Sequence, residues 1–370
     1  MTLFSILLGA VLVSLIAVSM LVMPALVRPT LPLGVSVPRS RVDEPVVRAA
    51  VRRYRVIVVV GWVAAIVVLV AVAPVEPSIA LLASVLLFLV VSVVAYLVPR
   101  TAIQRAKRDQ GWYDDVAVRI VADSAPAEVP RPPTGWFAVS LALLGVVSAI
   151  GIAGYDRVPD PLPVHWNAAG VADAYAEKSI WSVFGPLLIG GATVVGLYAL
   201  SFLVRISPVR GLAADDRATN AARAFAVRSL TCSMLGRLML GITAIFAWTS
   251  LLSWSDDVSP AVAAGGTIAL VVVLLLVIVI FLWRYARAVR GAGAGGSTGD
   301  ANAAAADAPD DDRHWKAGMV YVNADDPSFM VQKRFGVGWT VNLGHPAGVI
   351  AVVVLLALVV AALVVPLALA

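Results

Sequence analysis

The chain is short of two things that most proteins of its length carry in quantity: charge, and the side chains that perform chemistry. Asp, Glu, Lys and Arg make up 14% of its 370 residues, against about 25% in a typical soluble domain. It has one cysteine, Cys232, and three histidines, His165, His314 and His345. A single cysteine excludes an internal disulfide and a cysteine-built metal cluster; among small residues at the start of an apolar run it reads as a buried structural thiol. His314 and His345 lack the spacing of a zinc site, and His165 has no second His or Cys near it in sequence, so no metal and no cofactor is expected. No nucleophile stands in a recognisable relation to a base, and the chain is expected not to be an enzyme.

What is abundant is hydrocarbon. The hydrophobic fraction is 60% and the mean hydropathy is +0.91, more apolar surface than one soluble core could hide. Eight windows, at about 3–27, 56–74, 78–98, 136–154, 182–204, 232–253, 261–283 and 347–368, are each long enough to cross a hydrocarbon layer of roughly 30 Å as helix. None alternates in the way a membrane-barrel strand would, and helix satisfies every backbone group internally, as lipid demands. The expected fold is therefore an all-α integral membrane protein of about eight transmembrane helices. The first window lacks a basic leading segment and a small-residue cleavage pattern, so it reads as a retained helix and not a signal peptide. No Asp, Glu or His falls inside any window, and the one cation there, Arg237, lies near a window's end. Ion-coupled transporters and intramembrane proteases place ionisable groups at mid-membrane, so this silence speaks against both.

Charge then orients the windows. All but three of the 28 Lys and Arg residues lie in the loops after windows one, three, five and seven; the exceptions are Arg157, Lys178 and Arg237. By the positive-inside rule those four loops are cytoplasmic, which puts both termini on the extracytoplasmic side. The net charge of +5 is explained by arginines that meet anionic headgroups, with no nucleic acid partner required. The expected organisation is a three-helix region with basic cytoplasmic loops (1–135), a helix pair with an extracytoplasmic loop (136–204), two further membrane helices (205–290), a linker (291–312), a small cytoplasmic module before the last helix (313–346), and that helix (347–370).

Chemistry, if any, must lie in the loops, and two stand out. The first is DPLPVHWNAAGVADAYAEKSIW, Asp160 to Trp181. Alternating Pro159, Pro161 and Pro163 predict a stiff extended strut without regular pairing. Gly170 supplies a turn and Ser179 an N-cap for the next helix. The strut would hold Pro163, His165, Trp166, Asn167, Gly170, Asp173 and Lys178 as a ligand-recognition loop. The structural alternative is an aromatic belt of Tyr155, Trp166, Tyr175 and Trp181 at the membrane surface.

The second is HWKAGMVYVNADDP followed by RFGVGWTVNLG, between His314 and Gly344. Met319–Val322 predicts a short strand and Asn323–Pro327 a turn. Lys333 and Arg334 would sit at headgroup level, with Gly336 and Gly338 allowing close backbone packing. The run lacks the spacing and terminal Glu of a calcium loop, and its G-x-G lacks the following helix and Lys-Ser/Thr of a phosphate loop. It reads as an amphipathic plug that docks on cytoplasmic helix ends or on an intracellular regulatory protein, through Trp315, Tyr321, Asn323, Asp326, Pro327, Gly336, Gly338, Trp339 and Asn342. The intervening GAGAGGSTGDANAAAADAPDDD, Gly291 to Asp312, has the composition of a flexible tether.

The pattern P-x-P-x-P-x-H-W-N-x-x-G-x-x-D of the first loop resembles the module called domain of unknown function 1648, found in SdpI-like bacterial membrane proteins. The W-K-x-G-x-x-Y-x-N-x-x-D-P and K-R-x-G-x-G-W-T-x-N spacings of the second resemble domain of unknown function 5808, which often accompanies it. The founding SdpI-like proteins confer immunity to a secreted toxic peptide and signal its presence. The resemblance implies a non-enzymatic sensor or immunity factor for an extracytoplasmic peptide or an envelope stress. The competing expectation is a transporter or permease-like protein gated by the outer loop.

Overall fold

A computed structural model describes residues 2–114, 128–167, 170–208, 217–255, 258–290 and 310–369. It is a helical membrane protein. Helices α1 (Thr2–Leu26), α2 (Pro45–Val72), α3 (Pro77–Asp109), α4 (Thr134–Ala153), α5 (Ile180–Ile206), α6 (Arg217–Ser253) and α7 (Pro260–Arg290) are each long and apolar enough to cross a bilayer. The eighth apolar window forms α8, Pro346–Leu369. Where α2, α3, α6 and α7 outrun their apolar windows, the extra turns carry the basic residues, so the arginines expected in loops ride on rigid helical arms.

The exterior of this bundle is apolar. Val18, Val67, Val90, Val146, Leu188, Val273 and Ile280 all stand exposed on helix faces, an arrangement that only lipid tolerates. Cohesion inside comes from shape, since lipid tails compete equally for hydrocarbon. Helices α2 and α3 meet so closely at Gly61 that a Cβ there would lie 2.4 Å from Val91 Cγ1. Val13, Ala17, Val58, Ala65, Phe88 and Ala95 fill the core of the α1–α3 group. In the α4–α7 group the rings of Trp254, Phe246 and Trp248 lie against Gly151, Gly190 and Gly266. On α8 the described side chains of Ile350, Val353 and Leu355 are exposed.

Two small β structures sit at opposite ends of the bundle. Strands β1 (Leu162–Trp166) and β2 (Ala172–Ala176) form a hairpin between α4 and α5. Strands β3 (Trp315–Lys316), β4 (Val320–Tyr321), β5 (Met330–Gln332) and β6 (Trp339–Val341) form two hairpins in the segment before α8. The first hairpin adjoins the start of α5, whereas Trp339 of the second structure donates to the carbonyl of Pro208 just past its end. A helix of 27 residues separates the two by roughly 40 Å.

Candidate functional sites

The α4–α5 loop is a paired hairpin and not the unpaired strut that its prolines predict. Leu162 pairs with Ala176, Pro163 with Tyr175, His165 with Ala174 and Trp166 with Ala172, with irregularities on both sides of His165. Proline removes one donor per residue, so a two-stranded ribbon tolerates it where that N–H would face outward or where the ladder is already broken. The following residues, Ala172–Ala176, supply the other strand.

The hairpin is held at its root and at its tip. At the root, Leu162 is fully buried with Val158 and Val183, against Tyr155, Phe184 and Trp254. Lys178 clasps the base: its backbone N–H donates to Asp160 Oδ1 (3.2 Å), and its ammonium donates to the carbonyls of Val158 (3.0 Å) and Asp156 (3.4 Å). The same ammonium lies 4.9 Å from the Tyr155 ring centroid. Ser179 caps α5, accepting from Ser182 N–H while Ser182 reaches back, a reciprocal capping box. At the tip, Asn167 N–H donates to the Val171 carbonyl, Gly170 N–H to the Asn167 carbonyl, and Val171 N–H to Asn167 Oδ1. Gly170 has φ +78°, and a Cβ on it would lie 2.1 Å from the Pro260 carbonyl oxygen. The hairpin tip is thus pressed against the first residue of α7.

The residues singled out from sequence divide accordingly. Lys178, Asn167, Gly170 and Pro163 build and seat the hairpin. His165 and Asp173 face outward, joined across the strands by a 2.5 Å hydrogen bond between Nδ1 and Oδ1, with 66% and 42% of their side chains exposed. Trp166 is half-buried. Other apolar residues of the hairpin and the start of α5, which the motif did not mark, are exposed as well: Val164, Val171, Tyr175, Ile180 and Trp181.

At the other end the module is docked into the helix termini, and Arg334 is the centre of the contact. Its side chain is closed inside the protein and does not face headgroups: it is 2% exposed. Its guanidinium donates to the Gly34 carbonyl (3.2 Å), to Ser36 Oγ (3.0 Å) and to the carboxylates of Asp311 and Asp312, and lies 5.2 Å from the Trp315 ring centroid. Lys107 of α3, its side chain 9% exposed, bridges Asp310 and Asp312 at 2.7 Å each. Asp310–Asp312, which composition assigned to the tether, therefore belong to the docking contact; residues 291–309 lie outside the described residues. Phe335 completes the joint, its ring 4.5 Å from Tyr96 and edge-on to Tyr54.

Inside the module, Trp315, Tyr321 and Val331 form the core. Tyr321 Oη donates to Asp326 Oδ2 and accepts from Asn323 Nδ2, closing the turn before Pro327. Asn342, fully buried, donates to the carbonyls of Asn323, Asp326 and Ser328 and accepts from the N–H groups of Asn323 and Gly344. Gly336 and Gly338 are needed for a different reason from close packing. A Cβ on Gly336 meets nothing nearer than 3.9 Å and one on Gly338 nothing within 4 Å, but their φ values of +102° and +91° are those of a glycine turn. Among the described residues no three His, Cys, Asp or Glu side chains gather where they could hold a metal ion.

Fold and sites together define a multi-pass helical membrane protein with a hairpin at one end and a docked module at the other. Two family models match it: Domain of unknown function (DUF1648) over residues 142–190, which takes in the hairpin and its flanking helix segments, and Family of unknown function (DUF5808) over residues 324–349, the later part of the module and the start of α8. No curated protein and no solved structure matches.

Proposed function

We propose that this protein is a non-enzymatic, SdpI-like sensor or immunity factor of the bacterial plasma membrane. In this reading the hairpin faces out and takes an extracytoplasmic peptide, while the module faces the cytoplasm and meets a regulatory protein. The observation that carries it is the path of α7. Its first turn bears the hairpin tip, through Pro260 and Ala264, and near its last turn Tyr285 Oη accepts from Gln332 of the module at 3.5 Å. One helix of 31 residues thus touches both candidate sites. A ligand that tilts the hairpin has a rigid element through which to bias the docked module.

The exposed apolar Val164, Val171 and Tyr175 of the hairpin, which also carries the exposed His165–Asp173 pair, support a peptide as ligand, because apolar side chains and an unpaired strand edge are what an extended peptide uses. The excess of Lys and Arg at the module end supports its cytoplasmic orientation. The test is deletion of the gene followed by challenge with a panel of antimicrobial peptides and envelope stresses. The deletion strain is expected to be sensitised to at least one challenge. Complementation with His165→Ala should fail while membrane abundance stays normal. A wild-type response across the panel would sink the immunity reading.

A further inference from the structure

The turn that carries Lys333 meets the ends of α1 and α7, leaving a small notch, about 20 Å³ inside, whose mouth opens to solvent. Leu26, Val27 and Val289 give it apolar walls, and Arg28, Gln332 and Lys333 give it a polar floor; none of its lining residues is acidic. Arg28 is oriented by its 2.9 Å hydrogen bond to Gln332 Oε1, and Lys333 is exposed. A second observation fixes the depth. On α7 the Arg287 guanidinium lies 4.0 Å from the Trp283 ring centroid, the pairing of aromatic and snorkelling cation that membrane helices place where hydrocarbon gives way to headgroups. Val289 follows two residues later. On the hydrocarbon side of this level, Val18 and Val22 of α1 and Leu276 and Ile280 of α7 are exposed.

We propose that the mouth of the notch, between Arg28 and the exposed Lys333, binds the phosphate of an anionic phospholipid headgroup. Arg28 and Lys333 donate to the phosphate oxygens, and the acyl chains lie along the exposed faces of α1 and α7. An arginine fork and a lysine ammonium are the side chains suited to phosphate, and a basic recess between helix ends at the bilayer surface attracts anionic lipid. Because Arg28 comes from the end of α1 and Lys333 from the module, a bound headgroup ties the module to the membrane helices. The inference goes beyond the ligand reading of the hairpin and stands without it.

The full-length protein in nanodiscs of phosphatidylcholine with added phosphatidylglycerol, followed by native mass spectrometry, tests this directly. The wild type should retain phosphatidylglycerol in preference to phosphatidylcholine. In the Arg28→Gln, Lys333→Gln double variant that preference should weaken on the order of 30-fold, at the strength typical of one cation per headgroup contact. Because Arg28→Gln also loses a bond to the module, Lys333→Gln alone, which breaks no docking bond, should lose roughly fivefold, and Lys333→Arg should regain it. An Arg52→Gln, Arg53→Gln pair on the exposed arm of α2 should keep the wild-type preference. Equal retention of the two lipids by wild type, or an undiminished preference in Lys333→Gln and the double variant, overturns the proposal. Displacement of phosphatidylglycerol by millimolar inorganic phosphate overturns the lipid as the source and assigns the notch to soluble phosphate.

Discussion

Replacing Arg334 by alanine should release the module from the helix ends without unfolding the bundle. The guanidinium serves four acceptors, the Gly34 carbonyl, Ser36 Oγ and the carboxylates of Asp311 and Asp312. Removing one member of a buried ion pair typically costs about 3–5 kcal/mol, because the other charge stays buried. Here Asp311 and Asp312 keep 21% and 17% of their side chains exposed, and Asp312 keeps Lys107, so the lower end of that range, about 3 kcal/mol, applies. At about 1.4 kcal/mol per decade, the undocked population rises roughly 150-fold. Hydrogen exchange on the full-length protein in a membrane mimetic reads this. Peptides from 310–345 and from the α1–α2 loop at 28–37 should lose protection together, while the distant hairpin at 162–176 should not change. Arg334→Lys keeps the charge but not the fork, and its loss should fall between wild type and alanine. Unchanged protection in Arg334→Ala would refute the electrostatic account of docking. Equal losses in hairpin and module would show that the variant unfolds the bundle.

Gly170→Ala must adopt a left-handed backbone, at about 1–2 kcal/mol, and must also push its Cβ away from the Pro260 carbonyl, so the hairpin should lift from α7 and lose exchange protection by more than about tenfold. Gly135→Ala in α4, where a Cβ meets nothing within 4 Å, should be neutral or slightly stabilising by the same measurement. Asn342→Ala deletes five hydrogen bonds of a fully buried side chain, and at about 1 kcal/mol each with partial relaxation the module should lose about 3–4 kcal/mol, read as faster proteolysis within 320–345. In a Cys232→Ala background, Ala174→Cys should react with an impermeant maleimide added outside intact cells, and Lys316→Cys only after the membrane is opened. The reverse pattern would invert the proposed topology.

The spans were legible in the sequence because lipid leaves helix no freedom: each needs about twenty uninterrupted apolar residues, and every window coincides with a helix. The hairpin was half legible. Gly170 and Ser179 announced a turn and a cap by local chemistry that needs no tertiary context. Its pairing was hidden, because three prolines within five residues argue against a ladder, and only the register shows how the ladder accommodates Pro163. The exposed Val164, Val171 and Tyr175 carried a weak alternation that could have been read as a strand face.

Least legible was the docking of the module, since it depends on segments about 20, 200 and 300 residues apart in sequence meeting around Arg334 and its partner Asp312. Yet the sequence contained a trace of it. At an end of the protein crowded with Lys and Arg, the run Asp310–Asp312 is three carboxylates in a row at the close of a linker of small residues. Composition reads such a run as solvated spacer. Buried cations need counter-charge close by, and Lys107 and Arg334 are both nearly closed off from water. The acidic run answers both, with Asp312 shared between them. A run of acids beside a cationic platform is therefore better read as half of an ion-paired joint, and the place where composition stops being linker-like marks where the module begins.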